Sequence, residues 1–486
     1  MIWFSRSGWR TGLPLALLPA AVMVQGPLLA RGTEPVLRVL LEQAGSLEVG
    51  ALSSPLRLED GRGQLLLLVP AGATLRLSTE AGSLQARVVG GGGTERRLTL
   101  PLRPLWVDPQ PVDPNDALFS LGRRRFRGRL QVRPEGQGLQ AINHIKVESY
   151  LPSVVGGEMP ASWPQAALRA QAVAARTYAL RQRKPSAPFD LKATVASQVY
   201  KGIEAETPST RQAVASTRSQ VLMHGNGLIN AVFHSSSGGN TENSGEIWTT
   251  QLPYLVSVPD FDDSSPVRDW KKQFTPGELR KAFPETGGVR RIDVLSSTAT
   301  GRIRQARVLG PRGSLVLKGS ELRSRLKLRS TLAQFVFDGA GETASRAVQN
   351  RPRPIPLTVV SSTGTIMGGA STGGPSRGES SRRNGANSTV RSSLSALLDA
   401  VASSSSGLPA NRYGSSRSTA PRFRRPEAPP SRGSADPSLL VIGRGFGHGV
   451  GMSQWGAYGL ALRGEGYADI LRHFYRGAQL RPYRPL

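Results

Sequence analysis

The chain of 486 residues contains no cysteine and carries 62 Lys and Arg against 34 Asp and Glu, a net charge of +28. That length suffices for two domains or for one large domain with insertions, and the absence of cysteine excludes a disulfide framework. The charge draws the chain to polyanions. No helix-turn-helix, zinc-finger or aromatic RNA-binding signature accompanies it, so anionic lipid or an acidic wall polymer is expected and nucleic acid is not.

In chain order, residues 1–30 place Arg6 and Arg10 ahead of an apolar run from Leu13 to Leu29 that Pro14, Pro19 and Pro27 interrupt. The run is too short and too broken for a spanning helix and reads as an export signal, with cleavage after Gly26 or Ala30; a retained N-terminal membrane anchor is the alternative. The expected location is therefore exported, in a periplasm or cell wall. Residues 33–124 form a β-rich region, in which apolar runs such as Val36 to Leu41 and Gln64 to Val69 alternate with glycine-rich breaks.

From Val147 to Arg183 the pattern predicts helix, loop, helix. Gly156-Gly157 is expected to end the first helix, and the Ser162/Gln165 spacing predicts a capping box at the start of the second, with Pro164 in its first turn. Leu168, Ala172, Ala175 and Ala179 recur as one buried stripe. Glu158 is left in the connecting loop beside Met159, Pro160 and Trp163. These apolar neighbours favour a raised pKa and a protonated carboxyl able to act as a general acid; a solvated loop carboxylate is the plainer alternative. Arg176, on the second helix and off the alanine stripe, is either a carboxylate binder or a solvated helical arginine.

Further on, Gln220 to Phe233 reads as a hairpin turning at Gly225-Asn226-Gly227, and His234 opens onto Ser235-Ser236-Ser237-Gly238-Gly239. His234 has no second histidine at ligand spacing, since His224 lies ten residues back across the hairpin. Residues 339–438 carry thirteen Arg, no Lys and five acidic residues amid Ser, Gly and Pro, a composition that predicts a disordered insertion. The chain re-enters the fold at Leu439, so the two sides of the insertion are expected to lie close together. From Gly443 to Gly451 every second residue is glycine. In an extended strand this leaves one bare face and turns Arg444, Phe446, His448 and Val450 to the other. The overall expectation is an α+β fold, with strands interleaving helices without a regular βαβ repeat.

The blocks Glu148 to Pro160 and Leu168 to Ala179, followed in order by Ser197 to Gly202, Phe233 to Thr241, Leu252 to Val258 and Gly443 to Ala457, resemble the stage II sporulation protein D family, SpoIID/LytB. The resemblance covers roughly residues 125–338 and 439–480, which would be the two parts of the family core. It implies a lytic transglycosylase that cleaves peptidoglycan glycan strands, peptide-stripped ones by preference, with Glu158 as acid/base. It also tips the alternating glycines towards a wall of the substrate groove. Arg176, His234, Ser237, His448, Ser453, Gln454 and Trp455 are the candidate strand-binding residues. Some relatives use a histidine and cysteines near His234 to bind zinc; here Ser237 stands where such a cysteine would be, so no metal and no cofactor is expected. Other members enhance wall amidases, and a non-catalytic wall-binding partner of an amidase is the alternative.

Overall fold

The computed structural model describes residues 34–92, 95–110, 117–338 and 436–483. The export segment at 1–30 and all but the last three residues of the 339–438 insertion lie outside the described residues. The fold is α+β. Strands Val36–Ala44, Ser46–Ala51, Ala73–Glu80 and Ser83–Gly90 bury alternate residues, the period of a strand with one face on a core. They belong to a seven-stranded and a six-stranded sheet whose buried residues join one hydrophobic cluster.

Eight helices follow in the described residues: α1 Val147–Glu158, α2 Gln165–Arg181, α3 Pro208–Ala215, α4 Ser244–Ile247, α5 Pro276–Ala282, α6 Gly319–Arg325, α7 Gln454–Leu462 and α8 Tyr467–Phe474. Strand Gly138–Lys146 pairs antiparallel with Val36–Ala44 on one side and with Arg129–Glu135 on the other. The chain runs from its last residue straight into α1, so the large sheet fixes where that helix points. Helix α2 packs against α1, α3, α7 and α8. It buries Ala170, Val173 and Ala174 besides the expected stripe of Leu168, Ala172, Ala175 and Ala179. It is thus buried on several sides, and its alanines let the surrounding elements approach closely.

Two local expectations need correction. Helix α1 does not stop at Gly156-Gly157 but continues through them to Glu158. Their missing side chains serve close packing instead: a Cβ on Gly156 would lie 1.9 Å from the Ala205 carbonyl oxygen, and one on Gly157 would lie 2.6 Å from that of Val199. Nor is there a capping box at Ser162. Pro164 is itself the N-cap of α2, its carbonyl accepting from the amides of Ala167 and Leu168, and Gln165 reaches away to donate to the Ser209 carbonyl. Gly156→Ala is expected to destabilise the protein by about 1–3 kcal/mol through this backbone collision. That exceeds the roughly 1 kcal/mol by which alanine is the better helix former. A urea midpoint at or above that of the wild type would show that α1 and the turn Ile203–Ala205 are not in contact.

A second core gathers Trp270, Phe274, Leu279, Phe283, Val308, Leu322 and Val441. Its strand Leu439–Arg444 lies between Asp269–Phe274 and Ala333–Phe337, antiparallel to both. Phe337 therefore faces Leu439, and the Asp338 amide donates to the Ser438 carbonyl at 3.1 Å. Beyond Arg444 the chain returns to the first core, where it meets Phe233–His234. Gln220–His224 forms the hairpin with Gly227–Leu228, but the return arm is only two residues long. Among the described residues no helix is long and apolar enough to cross a membrane.

Candidate functional site

Glu158 is the last residue of α1, and Met159 already has extended backbone. One carboxylate oxygen accepts from the Val199 amide at 2.9 Å and the other from Nε2 of Gln454 at 3.0 Å. The first contact depends on Gly157, which lets the Val199 backbone lie against the helix. Met159 and Trp163 are buried beside it, with Trp163 packed on Trp455 and Tyr458. Burial pushes the Glu158 carboxyl above the ordinary value of 4.5; the two hydrogen bonds and the charge of Lys201 offset this only in part. The residue keeps some exposure to a cleft of about 410 Å³.

Residues from distant parts of the chain line the same cleft: Tyr178, Trp248, Arg323, Phe446, His234 and His448. Phe233–His234 pairs parallel with Met452–Ser453. The alternating glycines do not form the extended strand expected, because the strand ends at Arg444 and Gly445, Gly447, Gly449 and Gly451 all take positive φ. Gly447, at φ 119, shows what this permits: a Cβ there would lie 2.6 Å from Cβ of His234. The glycines thus admit a segment of the same chain, while Phe446, Gly447 and His448 still face the cleft.

The two histidine rings lie 5.4 Å apart. Nδ1 of His234 faces the Val450 carbonyl oxygen at 3.2 Å and so carries the proton, leaving Nε2 as a buried lone pair with no partner. Nδ1 of His448 accepts from the Val450 amide at 3.0 Å, which puts that ring's proton on Nε2. Burial, helped by His448 and by the charge of Arg302, holds His234 well below the usual imidazole range. Burial and then the charges of Arg323 and Arg302 bring His448 down to about 4. Both rings are neutral near pH 7.

Four residues expected to bind a strand are engaged elsewhere. Arg176 is fully buried, and its Nε and one terminal nitrogen grip both oxygens of Glu148 at 2.8 and 2.7 Å. Its remaining hydrogen bonds go to the carbonyls of Gln220 and Val214. Ser237 is fully buried and donates to Asp260 at 2.5 Å, while its carbonyl accepts from Arg302. Ser453 is the N-cap of α7, accepting from the Gly456 amide. Trp455 is a core residue packed on Trp163 and Tyr458. Gln454, His234 and His448 do line the cleft with Glu158. Sequence reading missed Tyr178, Trp248 and Arg323 as cleft residues. Tyr178 lies on α2 within the second family block, Leu168 to Ala179, whereas Arg323 sits in no motif.

The donors present do not fit a tetrahedral zinc. His448, 214 residues from His234 in sequence, supplies the second histidine that spacing could not reveal, yet no group of three or more His, Cys, Asp or Glu able to hold a metal exists among the described residues. Dialysis against a strong chelator is accordingly expected to leave thermal unfolding unchanged. Stoichiometric zinc whose removal unfolds the protein would overturn this.

Residues 135–224 match the family model described as stage II sporulation protein, SpoIID. Over 360 residues the chain is 26% identical to the stage II sporulation protein D of Bacillus subtilis, spanning 70% of this chain and 76% of that protein. Over 338 residues it is 29% identical to a Bacillus subtilis protein named amidase enhancer, spanning 68% of this chain but only 40% of that relative. An uncharacterized protein of Brachyspira hyodysenteriae is 24% identical over 368 residues, 75% of this chain and 74% of its own length.

Proposed function

Since the chain belongs to the SpoIID/LytB family, we propose that it is an exported lytic transglycosylase that cuts peptidoglycan glycan strands with Glu158 as its acid and base. The observation that carries this reading is a single carboxyl with a raised pKa, fixed by Val199 and Gln454 at the edge of an open cleft. A hydrolytic glycosidase needs two carboxylates, one to protonate the leaving oxygen and one to activate water or attack the sugar. Intramolecular cleavage needs fewer protein groups. Protonated Glu158 gives its proton to the glycosidic oxygen as the C1–O bond of the muramic residue breaks. The 6-hydroxyl of that same residue then bonds to C1 and passes its proton to the carboxylate, which restores the acid and leaves a 1,6-anhydro end. Tyr178 and Trp248 offer aromatic surface to the sugar rings, and the net charge of +28 suits an anionic wall polymer.

A second reading is favoured by the relative named amidase enhancer, which aligns over 68% of this chain: a wall-binding protein that promotes a partner amidase without cutting glycan itself. Mass analysis of purified, peptide-stripped strands incubated with the protein separates the two. The transglycosylase reading expects fragments ending in anhydro-muramic residues, and intact strands that nonetheless stay bound would leave the enhancer reading standing in its place.

A further inference from the structure

Several arginines withdrawn from solvent in this protein are matched to carboxylates, although the fully buried Arg302 is held through the Ser237 carbonyl instead. Arg38 meets Asp190 at 2.7 Å, Arg176 meets Glu148 at 2.7 Å and Arg268 meets Asp262 at 3.5 Å. Arg323, on α6 of the second core, differs. It is half-buried in the wall of the Glu158 cleft, and its Nε donates to the Leu328 carbonyl at 3.2 Å. No carboxylate among the described residues pairs with it, so its two terminal nitrogens remain to serve the cleft. A desolvated guanidinium stays charged and presents a planar fork that matches a carboxylate.

We propose that Arg323 forms a carboxylate subsite in the cleft that holds Glu158, selecting glycan that carries free carboxylates. This rests on the glycan reading above and adds to it a specificity residue from outside the family blocks. Three further observations support an acidic sugar as the occupant. Nε2 of His234, buried and without a partner, offers a lone pair in the same cleft to a sugar hydroxyl or an acetamido N–H. Trp248, 38% exposed, gives a ring for stacking. Arg323 is the one lysine or arginine among the described residues that line this cleft, so it is the cation in that wall that an anion would meet. In peptidoglycan the carboxylate has two sources: the lactyl ether of a muramic residue once its peptide is gone, or the end of a peptide still attached.

The test uses the full chain carrying Glu158→Gln, so that strands stay intact, and measures binding to three preparations: stripped strands, stripped strands with their carboxylates converted to amides, and strands retaining peptides. Stripped strands are expected to bind roughly tenfold to a hundredfold tighter than amidated ones, the range for a hydrogen bond to a charged group. Adding Arg323→Gln should erase that difference, and Arg323→Lys, which keeps the charge but loses the fork, should restore part of it. Should Arg323→Gln fail to fold, the lysine variant and the amidated strands still decide the matter. Peptide-bearing strands that bind like amidated ones identify the lactyl carboxylate as the one ligand, and binding like stripped ones shows that the carboxylate at a peptide end serves the same fork as well. Equal binding of stripped and amidated strands, or a preference that survives Arg323→Gln, would overturn the subsite and leave the glycan reading intact. No binding to any preparation would overturn both.

Discussion

Glu158→Gln is expected to lower strand cleavage by about 10²–10⁴-fold, the usual contribution of a positioned acid or base, while strands continue to bind. The amide keeps the shape of the carboxyl and its main contacts. Its oxygen still accepts from the Val199 amide, and Gln454 can turn its own amide to face the new N–H group. Only the proton is lost. The same substitution should stabilise the fold at neutral pH. Burial raises the Glu158 carboxyl above 4.5 in the folded protein, so between 4.5 and that raised value the folded state binds more protons than the unfolded one. Stability therefore falls as pH rises through this window, and an amide, which never ionises, escapes the loss. Wild-type cleavage should also decline as pH rises through the raised value, because the acid form is consumed. Anhydro ends released by the variant at the wild-type rate would remove Glu158 from catalysis.

The strands and helices around the site were legible because each has a period of its own. The apolar run Val36 to Leu41 and the alanines of α2 needed nothing distant to be read. The helix ends were not, because glycine has two uses that look alike in sequence. Gly156 and Gly157 lie in a continuous helix to admit the backbones of Ala205 and Val199, and nothing local separates that use from helix termination. Glu158 was legible through its block, but its surroundings were not. Gln454 reaches it from 296 residues away and His448 meets His234 across 214, through pairings that only the assembled sheets create. Arg176 misled for a related reason. A helical arginine off the apolar stripe is usually solvated, and only the packing of α1 on α2 shows Glu148 waiting for it.

That pair yields the largest expected effect on stability. Arg176 and Glu148 retain 1% and 9% of their side-chain exposure. The bridge ties the first turn of α1 to the middle of α2, while Glu148 also accepts from the Ser219 amide and Arg176 donates to the carbonyls of Val214 and Gln220. Glu148→Gln would strand a buried guanidinium without its counter-charge, a loss of about 3–5 kcal/mol. An exposed pair such as Arg76 and Glu48, at 53% and 57% exposure, is worth at most about 1 kcal/mol. The cost should come from the orphaned charge rather than from the missing attraction, so Glu148→Leu combined with Arg176→Met should recover most of what Glu148→Gln loses. Guanidinium unfolding of the single and double variants measures both effects. Because α1 carries Glu148 in its first turn and Glu158 at its end, the single variant should also lose cleavage activity, and the double variant should regain it as the helix reseats. A single variant as stable as the wild type would show that Arg176 finds other partners or water, and that the bridge does not anchor the helix on which Glu158 stands.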